Sequence, residues 1–121
     1  MADIEPIGLA AAARGGEKTG QKNDVVTFDR QELDRILGLY GRMVALGEWR
    51  DYAIAFTRER AVFSIFRRAT EVPIYRVEKD PRLAKRQGAY TVVSQTGLIL
   101  KRGHELARVL AVLEKPLRAV N

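Results

Sequence analysis

The chain has no cysteine and a single histidine among its 121 residues. Without thiols there can be no disulfide, no thiol redox chemistry, no cysteine nucleophile and no cysteine-based zinc or iron–sulfur site; a reducing cytoplasm is the expected setting. With one imidazole, His104, any Ser-His-Asp triad would have to use that residue, and no serine stands in a nucleophile-elbow context. Metal binding is equally ill served. No apolar run approaches the roughly 20 residues that cross a bilayer. The Walker and G-x-G-x-x-G patterns are missing too, since Gly15-Gly16 falls in a polar stretch rather than between a strand and a helix. Met1–Glu5 is acidic and the Leu9–Ala13 patch is too short for a signal peptide, so secretion is not expected. These absences lead us to expect no cofactor, no metal, no membrane span and no catalytic residues.

What remains is an ordinary globular composition, 46% hydrophobic and 30% charged, with a formal net charge of +6. Length predicts one domain. The basic balance favours anionic partners such as nucleic acid, acidic proteins or lipid headgroups. Its density is greatest between Trp49 and Arg102, where twelve Lys/Arg stand against five Asp/Glu.

Residues 1–24 carry an Ala-rich patch and then a polar, glycine-rich run with no period. Too little apolar surface stands there to offset the entropy of ordering, so a disordered tail is expected. A helix then opens sharply. Asp29 and Glu32 have the spacing of a capping box, and Phe28 and Leu33 that of a hydrophobic staple. Leu33, Ile36, Leu37, Tyr40, Met43 and Val44 recur on one helical face. Gly47 is the expected stop. Gly38 and Gly41 each cost roughly 1 kcal/mol relative to alanine, which hints at close approach by another backbone.

The middle of the chain alternates. Tyr52–Thr57 and Ala61–Phe66 read as a hairpin around Arg58-Glu59-Arg60, Val72–Lys79 as a third strand, and Ala89–Ser94 with Leu98–Lys101 as a second hairpin around Gln95-Thr96-Gly97. Pro73 confines the third strand's use of it to a strand start or an edge. Asp80-Pro81 breaks that strand, and Arg82–Gln87 has the composition of one helical turn ending at Gly88. A last helix is expected from Gly103 to about Glu114, ended by Pro116, with Leu106, Val109, Leu110 and Leu113 on its apolar face. The sum is an α+β domain over 25–115: an antiparallel sheet of four to five strands, one long N-terminal helix and one shorter C-terminal helix, with a C-terminal tail over 116–121. Several strands are apolar on both faces. Either the helices cover opposite faces, the simpler arrangement, or one face meets a second copy in a homodimer.

The strings Phe28–Leu33, Leu39–Val44, Gly47–Tyr52, Ala61–Arg68, Arg82–Tyr90 and Thr96–His104 resemble a bacterial family catalogued as a domain of unknown function, number 2794. The likeness covers roughly residues 28–113. It implies a small cytoplasmic protein of one compact domain, and it brings no activity or site residues.

Three functional readings follow. The leading one is a non-enzymatic binding module for an anionic partner such as RNA or DNA. Its candidate anion-binding residues are Arg67 and Arg68 after a strand, Arg82, Lys85 and Arg86 in a turn, and Lys101, Arg102 and His104 around the expected helix start at Gly103. Phe63, Phe66, Tyr75 and Tyr90 are interleaved with that charge, as stacking platforms would be; the alternative is that these aromatics form the core and the arginines a solvated rim. The second reading is a protein-interaction or homodimerising domain using Trp49 and Arg50, residue types common at interface hot spots, although a Trp at such a junction more often packs beneath the turn. The third places a phosphorylated small ligand on His104, Arg102 and Lys101. Glu48, Asp51, Glu59, Glu71, Glu78 and Asp80 flank turns or basic residues and read as solvated ion-pair partners.

Overall fold

In the computed structural model, which describes residues 25–68 and 72–114, helix α1 spans Arg30–Ala45. The backbone N–H of Glu32 donates to Asp29 Oδ1 and that of Asp29 to Glu32 Oε1, each at 2.8 Å, so both halves of the capping box are made. At the other end Gly47 adopts φ +80°, a region open to glycine. Its N–H reaches Val44 O while that of Glu48 reaches Met43 O, and this paired bonding closes the helix. Ile36, Leu39 and Met43 point inward. Leu39 was not among the expected face residues, and Val44, which was, is 40% exposed.

Five antiparallel strands follow in a simple meander: β1 (Asp51–Phe56), β2 (Ala61–Phe66), β3 (Tyr75–Lys79), β4 (Tyr90–Ser94) and β5 (Ile99–Gly103). The β1–β2 turn needs no glycine because Thr57 holds it. Its Oγ1 accepts from the N–H groups of Glu59 and Arg60 and donates to Arg60 O. Pro73 precedes β3, which is the central strand, so the proline serves as a start and not as an edge. After β3 a 3-10 turn, Pro81–Leu83, leads to Gly88 at φ +105°.

The last helix differs from expectation. Gly103 ends β5 instead of opening a helix; α2 runs only Leu106–Leu110 and tightens into a 3-10 turn, Ala111–Leu113. Lys101 and Arg102 pair with β4 across the sheet, so they are strand residues.

Both helices cover the same face, which overturns the expectation of one helix per face. A single core joins Ile36, Leu39 and Met43 of α1, Leu106, Val109 and Leu110 of α2, and the strand residues Ile54, Phe63, Val77 and Val92. Those four strand residues stand directly opposite one another across β1 to β4. The alternation decides the side. The rows through Tyr52, Ile54, Phe56, Phe63, Ile65, Tyr75 and Val77 are large and apolar, whereas the intervening positions are mostly small or charged. Phe63 is fully buried, stacked on Tyr52 at 4.9 Å with Tyr40 against it at 6.1 Å.

One polar cluster fastens helix to sheet. Lys79 Nζ donates to Glu32 Oε1 at 2.8 Å and to Thr27 O at 2.9 Å, and the Tyr90 hydroxyl donates to Glu32 Oε2. Burial first, then the bond to the Glu32 carboxylate, pushes the Tyr90 phenol above the ordinary tyrosine range. No helix among the described residues is long and apolar enough to cross a membrane. The tails expected over 1–24 and 116–121 lie outside the described residues.

A Cβ at Gly38 or Gly41 would meet nothing within 4 Å, so no backbone approaches either position. Gly38→Ala is therefore expected to stabilise the fold by about 1 kcal/mol, raising Tm by about 4–8 °C; a lowered Tm in a thermal melt would contradict the open environment. Glu32→Ala removes a cap and strands Lys79, and should cost about 2–4 kcal/mol in urea unfolding. Glu32→Gln, which keeps the cap acceptor, should cost clearly less.

Candidate anion-binding surface

The face of the sheet opposite the helices is assembled by register. One row runs Ala53, Ser64, Arg76, Val93 and Ile99; the next runs Ala55, Val62, Glu78, Thr91 and Arg102. No described helix lies on this side. Ser64, Thr91 and Val93 are nonetheless only 4–5% exposed, and over Thr91 a long side chain from the neighbouring strand supplies the cover. Arg102 shows how. Its Nε donates to Thr91 Oγ1 at 3.2 Å and its Nη1 to Gln87 Oε1, so the guanidinium is laid across β4 by neutral partners.

Glu78 is the carboxylate at the centre of the face, and two arginines share it: Arg76 Nε at 3.2 Å and Arg60 Nη1 at 3.4 Å. Asp51, at the far corner, accepts from the N–H of Tyr52. Arg102 has no carboxylate partner among the described residues. Two guanidinium groups thus share one carboxylate while a third on the same face is held by neutral partners, and the surface is left positive.

The expected anion-binding residues divide between the two ends of the sheet. Arg67 and Arg68 follow β2, whereas Arg82, Lys85 and Arg86 follow β3, which runs the opposite way. The span between the ends is one strand, about 17 Å. Arg102 and His104 lie at the second end, where Gly103 pairs with Tyr90. Arg67 turns toward Glu48 at 3.8 Å, and Arg82 grips Asp80 through two bonds of 2.9 and 3.0 Å. Arg68, Lys85, Arg86 and Lys101 are exposed and form no ion pair among the described residues. Lys101 sits beside a bulge, because the register slips between Val92 and Val93 and leaves Leu100 as the extra residue.

Several sequence expectations change here. The helix-start phosphate site at Gly103 is absent, since the chain there is strand and α2 begins at Leu106. Three of the four aromatic residues offered as stacking platforms face the helices: Phe63 is buried, Tyr75 lies 6.3 Å from Trp49, and Tyr90 bonds Glu32. Only Phe66 shares the open face. Trp49 itself is 3% exposed, packed against Tyr40 and Tyr75, so its indole is a core group beneath the turn and not a contact residue; Arg50 beside it is exposed. Arg60 and Arg76, which the sequence reading passed over, belong to the surface. Arg76 reaches Glu78 from two residues away on the same strand, and the pairing of β2 with β3 brings Arg60 to the same carboxylate.

Among the described residues no group of three or more His, Cys, Asp or Glu is placed to hold a metal ion. Every buried side-chain polar atom among them has a partner, so none is aimed at a ligand.

Arg82 holds the Asp80 carboxyl below the ordinary aspartate range, chiefly by its side-chain hydrogen bonds. Because the folded value is depressed, the pair's contribution is complete above the unfolded pKa of about 3.9 and fades as pH falls through the lower folded value. The stability difference between the wild type and Asp80→Asn should therefore be constant from neutral pH down to about 5 and shrink below about 4. A difference that widens on acidification in urea titrations would refute the pairing.

The sequence matches the family model described as "Protein of unknown function (DUF2794)" over residues 26–110, and the chain belongs to this family. No curated protein and no solved structure matches it.

Proposed function

We propose that this DUF2794 member is a non-enzymatic binding module that holds an anionic macromolecule, RNA or DNA, against the helix-free face of its sheet in the cytoplasm. The observation that carries the reading is that Arg60 and Arg76 share the carboxylate of Glu78 while Arg102 is held by Thr91 and Gln87, on a face that no described helix covers. Arginine suits this task because its five donors leave N–H groups free even when one edge is engaged. Lys85 and Arg86 extend the charge at one end of the sheet, and Arg68 at the other.

A second reading, a protein-interacting or homodimerising domain, is favoured by a different observation. Leu98 and Ile99, at the edge strand β5, are 62% and 47% exposed. The bulge and Lys101 on that same strand weigh against edge-to-edge pairing, since both devices discourage a further strand from adding. Arginines around a shared carboxylate therefore rank ahead of it.

Fluorescence anisotropy with mixed-sequence oligonucleotides separates the two. If three phosphates are neutralised, log K should fall with log salt at a slope of about −2 to −3, a loss of roughly 20- to 40-fold between about 50 and 200 mM. No binding at low salt removes the nucleic-acid reading. A doubled mass in light scattering that is insensitive to salt would then support the second.

A further inference from the structure

A cationic surface can grip a nucleic acid by its phosphates or by its bases. Two observations bear on this. The first is how the aromatic rings are distributed. Sequence-tolerant binding of single strands ordinarily uses one ring per stacked base. Here Phe63, Tyr75 and Tyr90 are turned into the helix side of the sheet, where they pack on Tyr52, Trp49 and Glu32 respectively. Phe66, half-buried at the end of β2, is the one aromatic residue left on the open face.

The second is how the charges are held. Arg102 is oriented by a hydroxyl and an amide, which position its guanidinium without neutralising it. Arg76 and Arg60 divide one carboxylate between them. Arg76 stands on β3 and Arg102 on β5, two strands apart, which separates their backbones by about 10 Å. Such an arrangement offers a row of anchored cations with almost no flat apolar surface between them. Charge complementarity is strong, and base complementarity has nothing to rest on.

We infer that the open face holds the phosphodiester backbone of a nucleic acid, with phosphates on Arg60, Arg76 and Arg102 and the bases turned away from the protein. This rests on the nucleic-acid reading. It adds that base identity contributes nothing to affinity and that the ligand is read as a string of phosphates.

The test is competition anisotropy on the full chain, with a labelled mixed-sequence oligonucleotide at low salt and inorganic polyphosphate as a competitor that has no bases. Polyphosphate should displace the oligonucleotide completely at comparable phosphate concentration. Phe66→Ala should leave Kd within about twofold, while the double variant Arg76→Gln/Arg102→Gln should raise it about tenfold or more and flatten the salt slope by about 1–2 units. Failure of polyphosphate to displace, or a tenfold weakening in Phe66→Ala, would overturn the inference and leave the nucleic-acid reading standing. An unchanged Kd in the arginine double variant would overturn the placement. If no oligonucleotide binds at all, the underlying reading falls instead. Should Phe66→Ala fail to fold, as judged by Trp49 fluorescence, the polyphosphate arm decides alone.

Discussion

A carboxylate taken out of water has to be given donors in return, and Glu32 is given three. The Asp29 backbone, the Lys79 ammonium and the Tyr90 hydroxyl all converge on it. The first belongs to the helix cap and the other two to β3 and β4, so a single side chain fixes where α1 begins and how it sits on the sheet. Burial raises the cost of losing any of these partners, because a group left unpaired there forfeits its hydration without compensation. Lys79 also reaches the carbonyl of Thr27, and Val26 N–H pairs with Thr57 O, which draws the segment before the helix onto the end of β1. Once α1 is placed in this way, its apolar face and α2 close over one side of the meander, joined at their ends by Arg42 and Glu114.

The open face is a consequence of that arrangement. With both helices on one side, the large residues of each strand are used up there, and the alternate positions face away from the core. Evolution has filled those positions with Ala53, Ala55, Ser64 and Thr91 close to the sheet and with Arg60, Arg76, Glu78 and Arg102 standing above it. The small residues let the long ones lie flat. Arg102 lies over Thr91 in this way. A face built like this keeps Arg102 in one orientation without a neutralising carboxylate.

Much of the fold could be read from the residue order. Asp29 and Glu32 announce a helix start by spacing alone, Gly47 announces its end, and the hairpins show through alternation and turn composition. What could not be read was which way each face turns. Val62, Phe66 and Val93 made the strands look apolar on both sides, and residue order does not say which of the two faces the helices cover. The C-terminal helix was misplaced for a related reason. Gly103 resembles a helix opener, yet its role is to pair with Tyr90 at the end of β5. The surface was the least legible part. Arg67-Arg68, Lys85-Arg86 and Lys101-Arg102 stand out as doublets, whereas Arg60 meets Glu78 through cross-strand register, a relation that no local pattern encodes.

One backbone contact carries a wider consequence. A Cβ built on Gly88 would fall 2.2 Å from the carbonyl carbon of Gly103, and Gly88 itself has a positive φ. Any side chain at that point would pry the segment bearing Lys85 and Arg86 off the neighbouring strand, and Gln87, which steadies Arg102, would leave with it. The bare α-carbon of one glycine thus acts as a hinge pin. It sets the spacing between two groups of cations that are far apart in the chain.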